Sequence, residues 1–598
     1  MKKSLSETKW LLKAFLFLSS YFSVFPGLLE GLSAQSPTIS SFSPASGPVG
    51  TLVTISGTNL GSPTAFSIGG IAAIVINNNG TTLVGMVMPE AITGNVSITT
   101  AGGTASGNSN FIVTPTPYPG AQQGTKLLGS GFIGSSEQGR CVSLSADGNT
   151  AIVGGWADNS NQGAAWVYTR IGGTWTQQGT KLVGTGNVGA AMQGSSVSLS
   201  ADGNTAIVGG YRDNLTQGAI WVFIRNEGVW TQQGPKLVGT GNVGAAWQGR
   251  SASLSADGNT VIMGGSKDNS DQGAAWVFTR NGGIWTQQGT KLVASDATGA
   301  SGLGRSISLS ADGNTAVVGG FNDDSNQGAA WVFVRNGSTW TQQGTKLVGT
   351  GNIGAALQGI SVSVSADGKT ALVGGYLDNG NQGAAWVFTR NSDTWTQQGE
   401  KLLGTGNVFG ALQGFSVSLS ADGNSAIIGG VQDNGGQGAV WVFTRNDNLW
   451  TQKGTKLVGT GNTGAAFQGY FVSLSADGST AIVGGANDNS NRGAAWVFIP
   501  PPPPPPPPAI SSFSPASGPV GTLVTITGTN LGSTTAFSIG GISAIVVSNS
   551  GTALVGMVMP GATTGPLTVT TGSGTANGGG NFIVTTASSP GAQQGAKL

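Results

Sequence analysis

The chain has 598 residues, enough for several domains, and 103 of them are Gly while only 9% are charged. This composition disfavours a helical or a charged disordered protein and favours an all-β chain with many tight turns. The net charge is +1 without a basic block, so we expect no nucleic-acid partner. The sequence has no His and one Cys, Cys141, which excludes His-based triads, His-ligated metals and an intramolecular disulfide.

Residues 1–34 have the pattern of an export signal. Lys2 and Lys3 precede the mostly apolar run "WLLKAFLFLSSYFSVF", and "LSAQ" offers a small-residue cleavage site after Ala34. We therefore expect a secreted or cell-surface protein with no membrane insertion after cleavage. An uncleaved N-terminal membrane anchor is the alternative.

Two segments near the ends of the chain are copies of each other. Residues 37–114 contain "ISSFSPASGPVGTLVTISGTNLGS", and residues 509–585 contain almost the same string. Alternating apolar residues between Gly and Asn turns predict a small β-sandwich for each segment. Nine prolines at 500–508 precede the second copy. Such a run forms a stiff polyproline II spacer of about 28 Å, and a ligand for proline-binding domains is the alternative.

Residues 119–499 contain seven repeats of 55 residues without insertion or deletion. The motif "SADG" recurs with Asp147, Asp202, Asp257, Asp312, Asp367, Asp422 and Asp477. Each repeat contains four short strand patterns, of which "SVSLS" and "TAIVGG" flank an Asp-Gly hairpin turn. Four antiparallel strands per repeat predict a seven-bladed β-propeller, with an open β-solenoid as the alternative.

The seventh repeat lacks the fourth strand, which reads "WTQQGTKLV" in the others. The matching string "AQQGTKLL" lies at 121–128, one period before its first full copy. We predict that this N-terminal strand completes the last blade and closes the ring, which removes two exposed sheet edges. The same string returns at 586–598, which we interpret as the start of a second, truncated propeller with any anchoring signal beyond it.

Both kinds of segment resemble known families. The sandwich strings, with the closing "NFIV", resemble the IPT/TIG family of immunoglobulin-like domains, which implies structural or interaction modules of surface proteins. The repeats, through "QGSSVSLSADGNTAIVGG" and "QGAAWVFTRNGGIWTQQGTKL", resemble bacterial FG-GAP repeats of the integrin-α-like propeller. In that family a D-x-D-x-D-G loop often binds Ca²⁺. Here the loop is shortened to "SADGNT", so that site is not carried over.

A second set of periodic aspartates lies in the "DN" loops between strands 2 and 3. One interpretation is an Asx-type turn, and the other is a weak Ca²⁺ loop, so that no cofactor is expected and Ca²⁺ stays an alternative. The weak metal candidates are Asp158, Asp213, Asp268, Asp323, Asp378, Asp433 and Asp488. The periodic lysines of the fourth strand, such as Lys181, are interpreted as solubilising and edge-protecting residues.

The loops between strands 2 and 3 and between blades keep their Gly and Asp frame but vary at three positions. In an up-and-down blade these loops share one face, the loop face, and aromatic and Arg side chains on a rigid frame favour a binding surface. The predicted ligand-binding residues are Trp156, Tyr211, Phe321, Tyr376, Trp247, Phe467, Tyr470, Arg140, Arg250 and Arg305. Simple packing between blades is the alternative for these side chains.

The sequence thus predicts an exported adhesion or recognition protein, not an enzyme, that binds an extracellular protein or glycan through the propeller. A purely structural surface or matrix array is the first alternative. The second is a polysaccharide-acting enzyme, which would need a pair of carboxylates across one sugar. Four loop-face acids, Glu137, Asp271, Asp296 and Asp324, are the candidates for such a pair.

Overall fold

Strands dominate the computed structural model, which describes residues 34–502 and 505–587. The predicted signal peptide (1–34) and the terminal segment 586–598 lie almost entirely outside the described residues. The chain divides into two compact units, Met1–Pro500 and Pro501–Leu598, and each is described by itself. The all-β prediction is confirmed.

The first sandwich is made of nine strands whose apolar residues meet between two sheets. Strands 1, 3, 7 and 6 form a four-stranded sheet, and strands 2, 9, 8, 4 and 5 form a five-stranded sheet. Ile55, Ile98 and Phe111 are fully buried between them. The strands are Thr38–Ser43, Ser46–Gly47, Leu52–Thr58, Ala65–Ile68, Ile71–Ala72, Ile74–Asn78, Thr82–Met86, Gly94–Thr100 and Gly103–Val113.

The propeller follows with seven four-stranded antiparallel sheets, and in blades 1 to 6 the strands lie in chain order. Blades 1 to 3 are Cys141–Leu144, Thr150–Gly155, Ala164–Ile171, Thr174–Gln177; Ser196–Leu199, Thr205–Gly210, Ala219–Asn226, Val229–Gln232; and Ser251–Leu254, Thr260–Gly265, Ala274–Asn281, Ile284–Gln287. Blades 4 to 6 are Ser306–Leu309, Thr315–Gly320, Ala329–Asn336, Thr339–Gln342; Ser361–Val364, Thr370–Gly375, Ala384–Asn391, Thr394–Gln397; and Gln413–Leu419, Ser425–Gly430, Ala439–Asn446, Leu449–Gln452. Blade 7 has Phe471–Leu474, Ala481–Gly485 and Ala494–Ile499.

The fourth strand of blade 7 comes from the N-terminal side of the propeller, as predicted. Ala121–Gln122 pairs antiparallel with Ile499 and Phe498. Gln122 accepts a hydrogen bond from the Thr460 N–H at 2.7 Å, which repeats the bond from the Ser130 N–H to Gln177 in blade 1. The closing strand therefore makes the contacts of an ordinary fourth strand.

A ring of backbone hydrogen bonds around the central channel joins all seven blades. The Ala of each "SADG" turn donates its N–H to the Ala carbonyl of the next blade, from Ala146 to Ala201 and onward to Ala476, which returns to Ala146 at 3.0 Å. The adjacent Asp makes the turn itself: Asp202 accepts from the Ser200 hydroxyl and from the Asn204 N–H. The assignment of these aspartates to turns is confirmed.

One Trp from the third strand of each blade packs against the connection that leads into that blade. Trp166 is fully buried, and a Cβ added to Gly129 would lie 2.1 Å from its ring, so Gly is required there. The indole N–H donates to the Ser130 carbonyl at 2.8 Å. Removal of such a buried Trp typically costs about 3–5 kcal/mol. The periodic Trp residues thus fix the frame from which the loops project.

The first sandwich packs on the face of the propeller that carries the turns between strands 1 and 2. Its hydrophobic core continues into turn alanines such as Ala146 and Ala421. Glu90 pairs with Lys369 at 2.8 Å, and the Thr116 hydroxyl donates to Asp422 at 2.7 Å. The loop face lies on the opposite side of the propeller.

The second unit repeats the first sandwich with the same strand order in both sheets. Val524, Ile526 and Phe582 are fully buried in its core. Its strands are Ala509–Ser514, Ser517–Gly518, Leu523–Thr529, Thr534–Ile539, Ile542–Ser543, Ile545–Asn549, Ala553–Met557, Gly565–Thr571 and Gly574–Val584.

Candidate functional site

Each loop between strands 2 and 3 contains a short turn with left-handed backbone. In blade 1 Asn159, Ser160 and Asn161 have φ values of 50°, 57° and 69°. Asn, Asp and Gly tolerate this region best, which explains the repeated "DNSN" and "DNGG" strings. The turns span Asp158–Asn161, Asp213–Thr216, Asp268–Asp271, Asp323–Asn326, Asp378–Asn381, Asp433–Gly436 and Asp488–Asn491.

The first Asp of each turn points inward and binds two partners. Asp158 is 1% exposed; one carboxylate oxygen accepts the Ile133 N–H at 2.7 Å, and the other meets Lys181 Nζ at 2.5 Å. The same ion pair recurs in every blade. The pairs are Asp158–Lys181, Asp213–Lys236, Asp268–Lys291, Asp323–Lys346, Asp378–Lys401, Asp433–Lys456 and Asp488–Lys126.

These ion pairs change the interpretation of the periodic lysines and of the periodic "DN" aspartates. The prediction that the lysines only solubilise the outer strand is wrong, because each ammonium compensates a buried carboxylate. Both oxygens of each Asp are engaged, so a Ca²⁺ ion at these positions would have to displace the lysine. Over residues 34–502 and 505–587 there is no cluster of three or more His, Cys, Asp or Glu side chains that could hold a metal ion.

The residue that follows the "QG" or "LG" pair of each blade lies at one end of the central channel, on the loop face. We call these seven residues the mouth ring. They are Arg140, Ser195, Arg250, Arg305, Ile360, Phe415 and Tyr470. Together with the first strands they line a cavity of about 190 Å³. Strand 1 is the innermost strand of each blade, which is why one residue per blade reaches the mouth.

On one side of the mouth, an arginine is held between aromatic rings. The Arg140 guanidinium carbon lies 3.8 Å from the centre of the Trp156 ring and 4.1 Å from that of Tyr470. The Trp156 ring lies 6.0 Å from Tyr211, which in turn lies 5.1 Å from Trp247. Contacts of this kind are cation–π and aromatic pairs, and they hold the side chains in place.

The aromatic contacts continue around the opposite side. Phe415 lies 5.4 Å from Tyr376 and 4.9 Å from Tyr470, ring centre to ring centre. The Arg305 guanidinium carbon is 5.8 Å from the Phe321 ring. Phe467 instead packs on the loop of blade 6, where its ring lies against Gly436. Nine of the ten predicted binding residues are therefore gathered around the mouth, and their contacts cross blade boundaries.

The mouth carries three positive charges and one carboxylate. Glu137 lies 3.7 Å from Arg140 and also accepts the Trp156 indole N–H at 2.7 Å. No carboxylate of the described chain lies within 4 Å of the Arg250 or Arg305 guanidinium. Burial, with Arg250 and Arg140 nearby, lowers the pKa of Arg305 to about 9. Burial also lowers the pKa of Arg250. The mouth is thus an electropositive site.

Cys141 lies next to the mouth in a position that is Ser in five other blades. Its side chain is 4% exposed, and Sγ accepts the Val197 N–H at 3.3 Å. Burial raises the pKa of this thiol to about 12. A protonated, buried thiol is a poor nucleophile, which agrees with its interpretation as a small strand residue.

Three of the four loop-face acids are engaged by neighbouring groups. Glu137 is held by Arg140 and Trp156 as described, and Asp271 pairs with Lys267 at 2.9 Å. Asp296 accepts the Trp331 indole N–H at 2.8 Å and the Lys346 backbone N–H at 2.8 Å. These bonds lower the pKa of Asp296, against the opposing effect of its partial burial. Asp324 is exposed.

Sequence reasoning missed a second set of residues on the loop face. At the position of Val188 in "GNV", the side chain is exposed in every blade and apolar in five of the seven, while its backbone N–H donates to the buried Asp of the adjacent loop. These positions, which we call the outer rim, are Ile133, Val188, Val243, Thr298, Ile353, Val408 and Thr463. Ile353 is 60% exposed, and two other residues of the loop face, Phe409 and Leu215, are 85% and 91% exposed. The exact 55-residue spacing of the outer-rim positions was the sequence signal that could have identified them.

Comparison with protein families agrees with this architecture. Residues 37–113 and 508–588 match the IPT/TIG domain, and residues 285–333 match the FG-GAP repeat. Both resemblances seen in the sequence are thereby confirmed, and both domain types are typical of extracellular, usually non-catalytic, surface or recognition proteins. No curated protein matches the chain. Within the described residues, no helix has the length and apolar character needed to cross a membrane.

Proposed function

We propose that this chain is an exported surface or secreted recognition protein. Its ligand is an extracellular protein or glycan, and it binds to the loop face of the propeller through the mouth ring and the aromatic residues around it. The two sandwiches act as spacers.

The observation that carries this proposal is the contrast between the mouth and the frame. The turns, the buried Trp and the Asp–Lys pairs repeat in every blade, whereas the mouth positions differ from blade to blade. Trp, Tyr and Arg are the residues most enriched at binding hot spots. Rigid positioning by ring stacking reduces the entropy lost on binding.

The surroundings of the mouth also favour recognition. Five of the seven outer-rim residues present exposed apolar side chains on the same face, and exposed apolar residues contribute to interaction sites. The first sandwich packs on the other face of the propeller, so it does not compete for the loop face.

The test is ligand capture by the full chain on glycan and extracellular-protein arrays. The loop-face variant replaces Trp247, which is half-buried, and Phe409, which is 85% exposed, by Ala. Its matched control replaces Ile284 and Leu449 by Ala; they begin the fourth strands of blades 3 and 6 and are 70% and 67% exposed. We expect the first variant to lose capture at least ten-fold and the control to keep it. Equal capture by both variants would contradict the proposal, and a full chain that captures nothing would favour a purely structural array.

A further inference from the structure

The mouth ring has two chemically different halves. Blades 1, 3 and 4 contribute Arg140, Arg250 and Arg305, whereas blades 5, 6 and 7 contribute Ile360, Phe415 and Tyr470. A cationic half therefore faces an apolar, aromatic half across the cavity. This arrangement suits a ligand that carries a negative charge on one side and a ring or apolar surface on the other.

The three arginines of the cationic half are largely without partners in the described chain and can bind an external anion. Across the described chain, no side chain of the mouth arginines donates a hydrogen bond, and Glu137 is the one carboxylate within 4 Å of any of them. Their nitrogens are also accessible to solvent. In the described chain the single fully buried side-chain polar atom without a hydrogen-bond partner is the Tyr168 hydroxyl, so the unpartnered arginine nitrogens are not fully buried. The three guanidinium groups can therefore donate to a bound anion.

Arg140 lies between two aromatic rings, and its side chain donates no hydrogen bond within the described residues. Its guanidinium carbon lies 3.8 Å from the centre of the Trp156 ring and 4.1 Å from that of Tyr470. The N–H groups of a guanidinium lie in its plane, so stacking fixes their direction without consuming them. Arg250, 4.9 Å from Tyr211, is oriented by an aromatic ring in a similar way.

The size and polarity of the cavity restrict the ligand further. A volume of about 190 Å³ is below the roughly 300–1,000 Å³ of sites that enclose drug-sized molecules, so one ring or one short group fits. The hydroxyls of Tyr376 and Tyr470 have no hydrogen-bond partner in the described residues, whereas the buried Ser195 hydroxyl already donates to the Gly209 carbonyl at 3.0 Å. Polar hydroxyls beside aromatic faces match a sugar ring better than the aliphatic side chain of an acidic peptide.

We propose that the mouth ring binds the terminal acidic sugar of a glycan, with the carboxylate or sulfate on Arg140, Arg250 and Arg305. The sugar ring lies against Phe415 and Tyr470. This inference rests on the proposed recognition function and names the chemistry of its ligand. Carboxylate and sulfate present the same charge and acceptor oxygens to the guanidinium groups.

The experiment measures binding of monosaccharides to the full chain by calorimetry or ligand-observed NMR. Methyl glucuronide is compared with methyl glucoside, and N-acetylglucosamine 6-sulfate with N-acetylglucosamine. We expect at least one acidic sugar to bind ten-fold or more tightly than its neutral partner, because a hydrogen bond to a charged group contributes about 1.5–3 kcal/mol. Binding should also weaken as NaCl is raised.

Variants then test the assigned residues. Arg250→Gln combined with Arg305→Gln should abolish the preference for the acidic sugar. Arg212→Gln should leave it unchanged, because Arg212 is an exposed arginine of the same face that does not line the cavity. If the double variant does not fold, competition on the unaltered chain replaces it, and sodium sulfate should displace the acidic sugar where sodium chloride at equal ionic strength does not.

The outcomes separate this inference from the proposed function. Equal affinity for acidic and neutral sugars, or an unchanged preference in the folded double variant, would overturn the acidic-sugar assignment while the loop face could still be the binding surface. Capture of an acidic peptide without any acidic sugar would also overturn it. Ligand capture that survives loss of Trp247 and Phe409 would instead reject the proposed function.

Discussion

The ion pair that holds the closing strand offers a quantitative test of the fold. Lys126 Nζ lies 2.5 Å from Asp488, whose side chain is 1% exposed, while that of the lysine is 19% exposed. Replacement of Lys126 by Met leaves the buried carboxylate with only the Thr463 N–H as partner. Loss of one member of a buried pair costs about 3–5 kcal/mol, and the partial exposure of the lysine places our expectation near 3 kcal/mol.

The control is an ion pair of similar length at the surface. Lys267 lies 2.9 Å from Asp271, but their side chains are 37% and 44% exposed. Lys267→Met should therefore cost less than about 1 kcal/mol. The double variant Lys126→Met with Asp488→Asn removes both charges and should recover most of the loss, and with the single variant Asp488→Asn it completes the cycle that gives the coupling energy of the pair.

The assay is urea unfolding of the full chain followed by Trp fluorescence, since the periodic Trp residues are buried in the blades. The change in the midpoint multiplied by the slope gives the difference in unfolding free energy. An equal loss for Lys126→Met and Lys267→Met would refute the argument that the Asp–Lys pairs act as buried pairs. So would a double variant that is no more stable than Lys126→Met alone.

Three further predictions concern single side chains of the propeller. Tyr168→Phe should raise the unfolding free energy by about 1 kcal/mol, because its buried hydroxyl has no partner and six blades have Phe there; a loss of stability in urea unfolding would contradict this. Arg305→Met should stabilise the ligand-free protein by about 1 kcal/mol, since it removes a half-buried charge without a carboxylate partner, and a lowered urea midpoint would contradict it. Cys141 should react with a thiol reagent at pH 8 only after unfolding, because its pKa is about 12 and it is buried; fast reaction of the native chain would contradict this.

The architecture could be predicted from the sequence because the repeat is exact. Seven periods without insertion fixed the number of blades, and the displaced "AQQGTKLL" string identified the closing strand. The set of loops that share the loop face followed from the up-and-down order of the four strands. These features depend on chain order and periodicity, which a sequence records directly.

The partners of the periodic side chains could not be predicted in the same way. The positions of Asp158 and Lys181 are Asp and Lys in every blade. Because neither position varies between repeats, the sequence does not indicate that the two side chains form an ion pair. Their contact also depends on how the loop after strand 2 meets the segment that follows strand 4, where Lys181 lies. That loop contains the left-handed turn Asp158–Asn161, a backbone feature that periodicity does not indicate.

The connection into blade 4 shows how the role of one side chain depends on changes in its neighbours. Before blade 3, Gln248 bonds both the N–H and the carbonyl of Gly239. Before blade 4 the corresponding residues are Leu303 and Ala294. There the Trp331 indole N–H donates to the Asp296 carboxylate. The sequence suggested a loop-face acid at position 296, whereas the structure gives it a packing role that follows from these neighbouring changes.

A hydrogen-exchange footprint of the full chain with a ligand recovered from the arrays tests whether the loop face is the binding surface. We expect protection of backbone amides at the mouth, in segments 137–141, 247–251, 302–306 and 467–471, and at the outer rim. Protection confined to the turns between strands 1 and 2 or between strands 3 and 4, or to the sandwiches, would contradict it.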